Sequence, residues 1–224
     1  MNQVDIVHFS DILCVWAYIA QRRMDELKEN FGEQITIDYH FASIFGYSKR
    51  KIETNWKGKG LYDGYSNHVK EVVKNFPHVS VHPDIWTKNI PESSASCHLF
   101  LCSIRLLIQK GIIKEKEVYE IAAWKLRELF FKDLVDVSQR KEHIKLAEEL
   151  KLPVDKVLEQ IDSGEAHAEY CYDLELAKTY DVKVSPSLIF NEGRQKINGN
   201  VGYLVIEANI KELLKGEKKQ ASWC

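Results

Sequence analysis

The order of short apolar runs and amphipathic stretches limits the possible folds more than any other feature of this chain. "VDIVHF" (Val4–Phe9) is a short apolar run bounded by polar residues, the pattern of a buried strand. Trp16, Ala20, Met24, Leu27 and Phe31 then recur at steps of three and four, opposite Arg22, Asp25, Lys28 and Glu29. That period predicts a helix, and Gly32 stops it. "QITIDYHF" alternates, with Ile35, Ile37, Tyr39 and Phe41 on one face and Thr36, Asp38 and His40 on the other. This is a second strand. Strand, helix and strand open an α/β domain with a parallel pair.

From Ala42 to Pro91 the periodicity dissolves, and loops with one helix near Tyr65–Asn75 are expected. Helical stripes follow: Ala95, Leu99, Cys102 and Leu106, then Val118, Ala122, Leu126 and Leu129. Ser138 is placed to cap a helix containing Ile144, Ala147 and Leu150, and Pro153 to open a short one reaching Ile161. Ala166, Tyr170, Leu174 and Ala177 mark a longer helix. "SLIFN", the turn "NEGR" and "QKIN" then form a hairpin, and Ile206, Ile210 and Leu213 mark a last helix ending at Gly216. The outer pieces, 1–45 and 164–216, thus make one sheet domain, interrupted by loops and helices over 46–163. A polar tail, 217–224, is expected to fray.

Composition narrows the partners. A formal charge of -2 gives no reason to expect nucleic acid or an anionic membrane. No apolar run reaches the roughly 18 residues that cross a bilayer. The start "MNQVDIVHF" lacks the basic and apolar regions of a secretory signal, so a cytoplasmic protein is expected. Five cysteines are too few for a disulfide scaffold in a chain of 224 residues. Each is expected as a free thiol. Cys97 and Cys102 do not share a helix face, Cys171 sits on an amphipathic helix, and Cys224 is terminal.

Cys14, in "SDILCVWAYIA", stands where the first helix begins. There the backbone N–H groups lack intrahelical acceptors and favour a thiolate. The expectation is a pKa below the ordinary thiol value of about 8.5 and a sulfur that is nucleophilic without a base. Three residues on, where a redox pair carries its second cysteine, stands Ala17. Asp11 is expected as a solvated loop acid and His8 as a satisfied core histidine. Trp16 is either an apolar wall beside the sulfur or core. His40 ends its strand on the polar face and could line a cleft. His78 and His82 lack a third ligand, so no metal is expected. "KRKIETNWKGKG" is expected as a solvated loop over the cleft.

This order of elements, with a cysteine opening the first helix, resembles the thioredoxin fold of the DsbA family with its large helical insertion. "SDILCVWAYIA" resembles that family's C-x-x-C segment, especially in the FrnE-like branch, where Cys-Pro-Trp-Cys is often followed by Tyr. Here the positions are Cys14, Val15, Trp16 and Ala17, then Tyr18. "YDVKVSPSLIFNEGRQKINGN" resembles the family's cis-proline strand, hairpin and small-residue turn. "LFFKDLVDVSQRKEHIKLAEELKL" is similar to its inserted helices.

The resemblance implies that Ser185–Pro186 is cis and packs beside Cys14. The Ser185 backbone would then pair with an extended peptide or with glutathione, and Trp16, Gly199 and Asn200 would complete the binding surface. It implies a thiol–disulfide oxidoreductase acting through Cys14 alone, with no tightly bound cofactor and with glutathione as a possible co-substrate. Two alternatives stay open: a glutathione-dependent transferase or isomerase, and a redox-inactive peptide-binding module. Kappa-class glutathione transferases and 2-hydroxychromene-2-carboxylate isomerases resemble this chain in fold. They carry serine at the matching position and usually Gly-x-Asp in the turn before the last helix, where this chain has Gly199, Asn200 and Val201. Monomer and homodimer are both compatible with the sequence.

Overall fold

The computed structural model describes residues 3–215. Four strands form one sheet: β1 (Val4–Ser10), β2 (Ile35–Phe41), β3 (Ser187–Phe190) and β4 (Gln195–Asn198). Their spatial order is β2-β1-β3-β4. β1 and β2 run parallel in register from Val4–Ile35 to Ser10–Phe41, and β3 is antiparallel to both β1 and β4.

The parallel pair requires a crossover, and α1 (Val15–Phe31) supplies it. Gly32 ends α1 at a φ of 51°, a value that costs a side-chain-bearing residue energy, with its N–H on the Lys28 carbonyl. Val4 and Ile6 of β1 and Leu188 and Phe190 of β3 pack with Met24 and Leu27 of α1. Ile206 and Ile210 of α9 (Tyr203–Leu214) cover the same face. Phe9 and Ile189 point the other way, onto Ala177 of α8 (Glu165–Thr179). The sheet is therefore a layer between α1/α9 and α8, which is why its central strands are apolar on both faces.

Between β2 and α8 lie α2 (Ser48–Asn55), α3 (Leu61–Val73), α4 (Ala95–Gln109), α5 (Val118–Phe131), α6 (Arg140–Glu149) and α7 (Val154–Asp162). α4 is buried along most of its length, consistent with its nearly all-round apolar sequence. Among the described residues no helix is long and apolar enough to cross a membrane. Gly216, Cys224 and the tail expected to fray lie outside the described residues.

Two expectations need correction. The stretch read as loops from Ala42 to Pro91 contains α2 as well as α3. α2 has no sequence signature because half of its eight residues are charged and only Ser48 and Ile52 are buried. Its start is fixed by a nonlocal bond, from the Ser48 N–H to the Glu92 carbonyl (3.1 Å). The basic segment within it is not a free loop either: Trp56 packs against Tyr65 (5.4 Å between ring centroids) and His68 (5.2 Å). Gly64 allows this fold-back, since a Cβ there would lie 1.8 Å from the Lys59 carbonyl oxygen. The second correction concerns Ser138. Its amide and hydroxyl both bond Asp136 Oδ1 (3.0 and 2.6 Å) in a local turn, and Gln139 takes the cap position of α6.

His40 does not line an open cleft. It is buried where β2 meets α8, with Nδ1 2.6 Å from Asp173 Oδ1 and Nε2 2.9 Å from Asp38 Oδ2. Asp173 also accepts from Arg105 Nη2 (2.9 Å) and from the Phe41 N–H (3.2 Å). Burial pulls the His40 pKa down, but hydrogen bonds and charge from Asp173 and Asp38 outweigh it and raise it to about 9. Because the folded value lies above the unfolded one, this contribution is complete below about pH 6.5 and disappears as pH rises through about 9. Denaturant unfolding across that window is expected to show a loss of about 1–3 kcal/mol. Asp173→Asn is expected to flatten the dependence.

Candidate active site at the start of α1

The site is built on the turn between β1 and α1. Asp11 is wholly buried rather than solvated, and its carboxylate gathers four donors. Oδ1 accepts from the Leu13 N–H (2.9 Å); Oδ2 accepts from the N–H groups of Ile44 (2.9 Å) and Phe45 (2.7 Å) and from the Ser94 hydroxyl (2.8 Å). Its own N–H donates to the Ser185 hydroxyl (2.9 Å). One residue thus ties together the turn, the segment after β2, the start of α4 and the segment before β3. A buried carboxylate is tolerated only when its oxygens are filled in this way. His98 backs the turn. Its Nε2 accepts from the Ile12 N–H (3.3 Å), its ring stacks on Phe41 at 4.3 Å, and burial pushes its pKa down to about 4.

Cys14 occupies the N-cap position of α1 in extended conformation, and its carbonyl accepts the first helical N–H groups. The thiol donates to the Ser185 carbonyl at 3.2 Å. The Ser185–Pro186 bond is cis, and the Pro186 carbonyl accepts the Gly199 N–H (2.8 Å). The structure therefore brings Cys14, Ser185, Pro186 and Gly199 into one cluster. Asn200 is exposed at its edge, where its Oδ1 accepts from Arg23 Nη1 (2.6 Å). Trp16 is half-buried and meets Phe76 edge to face at 6.2 Å.

The electrostatics reverse the sequence expectation for the sulfur. Cys14 is only 6% exposed, and burial raises its pKa above the ordinary thiol value. Hydrogen-bonding groups at Ser185 and Ala17 pull the other way, Asp11 adds repulsion, and the Trp16 amide helps; burial prevails. The helix-start amides are present, but desolvation of the thiolate is the larger effect. Two large clefts lie elsewhere. One, of about 690 Å³, lies between Val118 and Leu152; the other, about 420 Å³, is lined by Gln21, Lys28, His78 and Trp124.

Other candidates fall into place around this centre. His8 is buried and held neutral, with burial then Arg127 lowering its pKa to about 3. Contrary to expectation, neither of its ring nitrogens finds a partner among the described residues. His78 bonds the Ile19 carbonyl (3.0 Å), and His82 accepts from the Asp84 N–H (3.1 Å). Among the described residues, no group of three or more side chains is arranged to hold a metal. Cys97 is buried with its thiol on the Val137 carbonyl (3.1 Å), Cys102 faces Arg105, and Cys171 is exposed. Sequence reasoning missed Ser94 and His98. Both reach the site through the packing of the inserted helices, and no local pattern marks them.

A family model for a DSBA-like thioredoxin domain matches residues 5–211. The chain belongs to the DSBA-like thioredoxin domain family. Among solved structures it is similar to a candidate protein disulfide isomerase from Nitrosomonas europaea (14% identity, TM-score 0.76, covering 96% of this chain and 98% of that one). It is also similar to a 2-hydroxychromene-2-carboxylate isomerase (12%, 0.67, 94% and 96%). A third is the cytosolic disulfide reductase DsbM from Pseudomonas aeruginosa with glutathione (12%, 0.66, 92% and 99%). At these identities the likeness establishes the fold. Among curated protein sequences none matches this chain. The DsbA-like fold, with its insertion between β2 and α8, is the one the sequence resembles.

Two outcomes follow from this geometry. Alkylation of Cys14, followed by peptide mass analysis, is expected to accelerate about tenfold per pH unit through neutrality. A plateau near neutrality would mean that the sulfur is not desolvated. Asp11→Ala strands three backbone N–H groups and is expected to cost about 3–5 kcal/mol in denaturant unfolding.

Proposed function

We propose that this DSBA-like protein is a thiol–disulfide oxidoreductase that works through Cys14 as its single nucleophile, with glutathione as co-substrate. The observation that carries the reading is the Cys14 thiol held at 3.2 Å from the Ser185 carbonyl, next to Pro186. Family membership supports the class of chemistry. In the reaction the Cys14 thiolate attacks a disulfide, forming a mixed disulfide and releasing one thiolate. Glutathione then attacks the substrate sulfur, restores Cys14 and carries the substrate away as a glutathione mixed disulfide. Ala17 excludes an internal Cys14 disulfide of the C-x-x-C kind, so oxidising equivalents are not stored at this turn.

The raised thiol pKa favours a reductive or exchanging role over an oxidising one. A strong oxidant of this chemistry needs its reduced thiolate stabilised. Burial does the opposite here. A sulfur that ionises reluctantly is a poor leaving group, so its mixed disulfide persists. Ser185, Pro186, Gly199 and Asn200 are the binding edge in this reading, and Trp16 flanks it. The Cys-Val-Trp-Ala-Tyr segment supports a FrnE-like placement, and the free thiols of Cys14, Cys97, Cys102 and Cys171 support a reducing, cytoplasmic setting.

A redox-inactive peptide-binding module is the second reading, favoured by the burial of the sulfur. A glutathione-dependent isomerase is less well supported, because the turn at Gly199 carries no acid and Asn200 is engaged by Arg23. Exposure to oxidised glutathione separates the first two. The expected result is one glutathione on Cys14, absent in Cys14→Ser and released slowly by added thiol. No adduct on wild-type Cys14, with peptide binding unchanged in Cys14→Ser, would establish the second reading.

A further inference from the structure

Arg23 brings an uncommitted positive charge to the edge of the Cys14 site. Trp16, Ala20 and Arg23 recur at steps of four and three, so they share one face of α1. Arg23 Nη1 donates to Asn200 Oδ1 (2.6 Å), and its guanidinium carbon lies 6.0 Å from the centre of the Phe76 ring. Phe76 in turn meets Trp16 at 6.2 Å. Ala20, Arg23, Pro186, Gly199 and Val201 line one narrow recess. The guanidinium is therefore held beside the cis-proline segment, where the Ser185 carbonyl accepts the Cys14 thiol.

A guanidinium has five N–H donors. The bond to Asn200 is the only side-chain hydrogen bond Arg23 makes among the described residues, and no carboxylate pairs with it there. The side chain is half-buried rather than enclosed, which leaves donors for a ligand. The turn of Gly199, Asn200 and Val201 contains no acid, so it offers an ammonium group nothing to pair with. A planar fork of donors pairs with a carboxylate. Arg23 stands nine residues beyond Cys14, about 13 Å along the helix axis. Helical side chains lean back toward the N-terminus, so the guanidinium is nearer the sulfur than its Cα is. That suits a short peptide, whose residues span about 3.5 Å each when extended. The recess holds only about 10 Å³, so a ligand lies across its mouth and not within it.

We propose that Arg23 is a specificity-determining residue that holds a carboxylate of glutathione while the cysteinyl sulfur faces Cys14. The inference rests on glutathione being the co-substrate of the exchange reaction. Glutathione carries two carboxylates and one ammonium, a net negative charge at neutral pH, and the edge at Arg23 is cationic. Arg23 takes no part in any covalent step; its contact is made on binding. Asn200 and the face of Phe76 fix the fork before a ligand arrives. A side chain placed in advance loses less freedom on binding than a free one.

S-methylglutathione is the probe, because its thioether cannot exchange with Cys14 and binding is read without chemistry. Isothermal titration of the full chain is expected to show binding that weakens about tenfold in Arg23→Gln, the loss of a hydrogen-bonded contact to a charged group. The diethyl ester of the same probe, with both carboxylates masked, is expected to bind Arg23→Gln no more weakly than wild type. Arg22→Gln removes the neighbouring exposed cation and is expected to match wild type. No binding to wild type, equal binding to wild type and Arg23→Gln, or equal weakening in Arg22→Gln overturns the proposal. Equal or tighter binding of a capped, α-linked peptide of glutamate, S-methylcysteine and glycine also overturns it, by assigning the carboxylate to a protein segment. Failure of oxidised glutathione to modify wild-type Cys14 would overturn the redox reading alone, since the thioether binds without exchange.

Discussion

The buried Asp11 carboxylate is the interaction on which the site depends. Three of its partners are donors from segments distant in the chain: the Ile44 and Phe45 amides and the Ser94 hydroxyl. The Asp11 amide reaches a fourth segment at Ser185. Without that carboxylate the turn before α1 loses its bonds to the segment after β2 and to Ser94 at the start of α4, and is left with the Asp11 amide on Ser185 and His98 behind Ile12. Charge-assisted hydrogen bonds of this kind are directional. They fix where the start of α1 points, and therefore which carbonyl the Cys14 thiol meets.

Two opposing effects then act on the sulfur. The first turn of α1 offers it amide hydrogens, as any helix start does. The inserted helices and the Pro186 segment close over it and remove water. A helix terminus is worth about 0.3–1 kcal/mol to an exposed charge and up to ~2 when partly buried. Desolvating a thiolate this deeply costs more, and the pKa rises. The consequence is a site that favours neutral sulfur, either thiol or disulfide. That suits slow exchange with persistent mixed disulfides better than rapid oxidation of substrates.

Much of the fold is legible in the sequence because it rests on local periodicity. The alternation of Ile35, Ile37, Tyr39 and Phe41 and the stripe of Ala20, Met24, Leu27 and Phe31 place β2 and α1 directly. The segment Ser187–Asn198 declares its hairpin through "NEGR". What could not be read depends on contacts between distant segments. α2 is held by the Glu92 carbonyl and not by its own pattern. Asp11 looks like a loop acid until its partners arrive from residues 44, 45 and 94. The position of Cys14 at a helix start was legible, but its desolvation was not, because its surroundings include segments distant in the chain, Ser185 before β3 among them. His98 was invisible for the same reason.

The account turns on a neutral Cys14 sulfur pinned by its proton to the Ser185 carbonyl. The infrared S–H stretching band of wild-type protein, taken as a difference against Cys14→Ser at neutral pH, measures that directly. A band shifted to low frequency by hydrogen bonding is the predicted result. A difference spectrum with no S–H band would show a thiolate at rest and contradict the account.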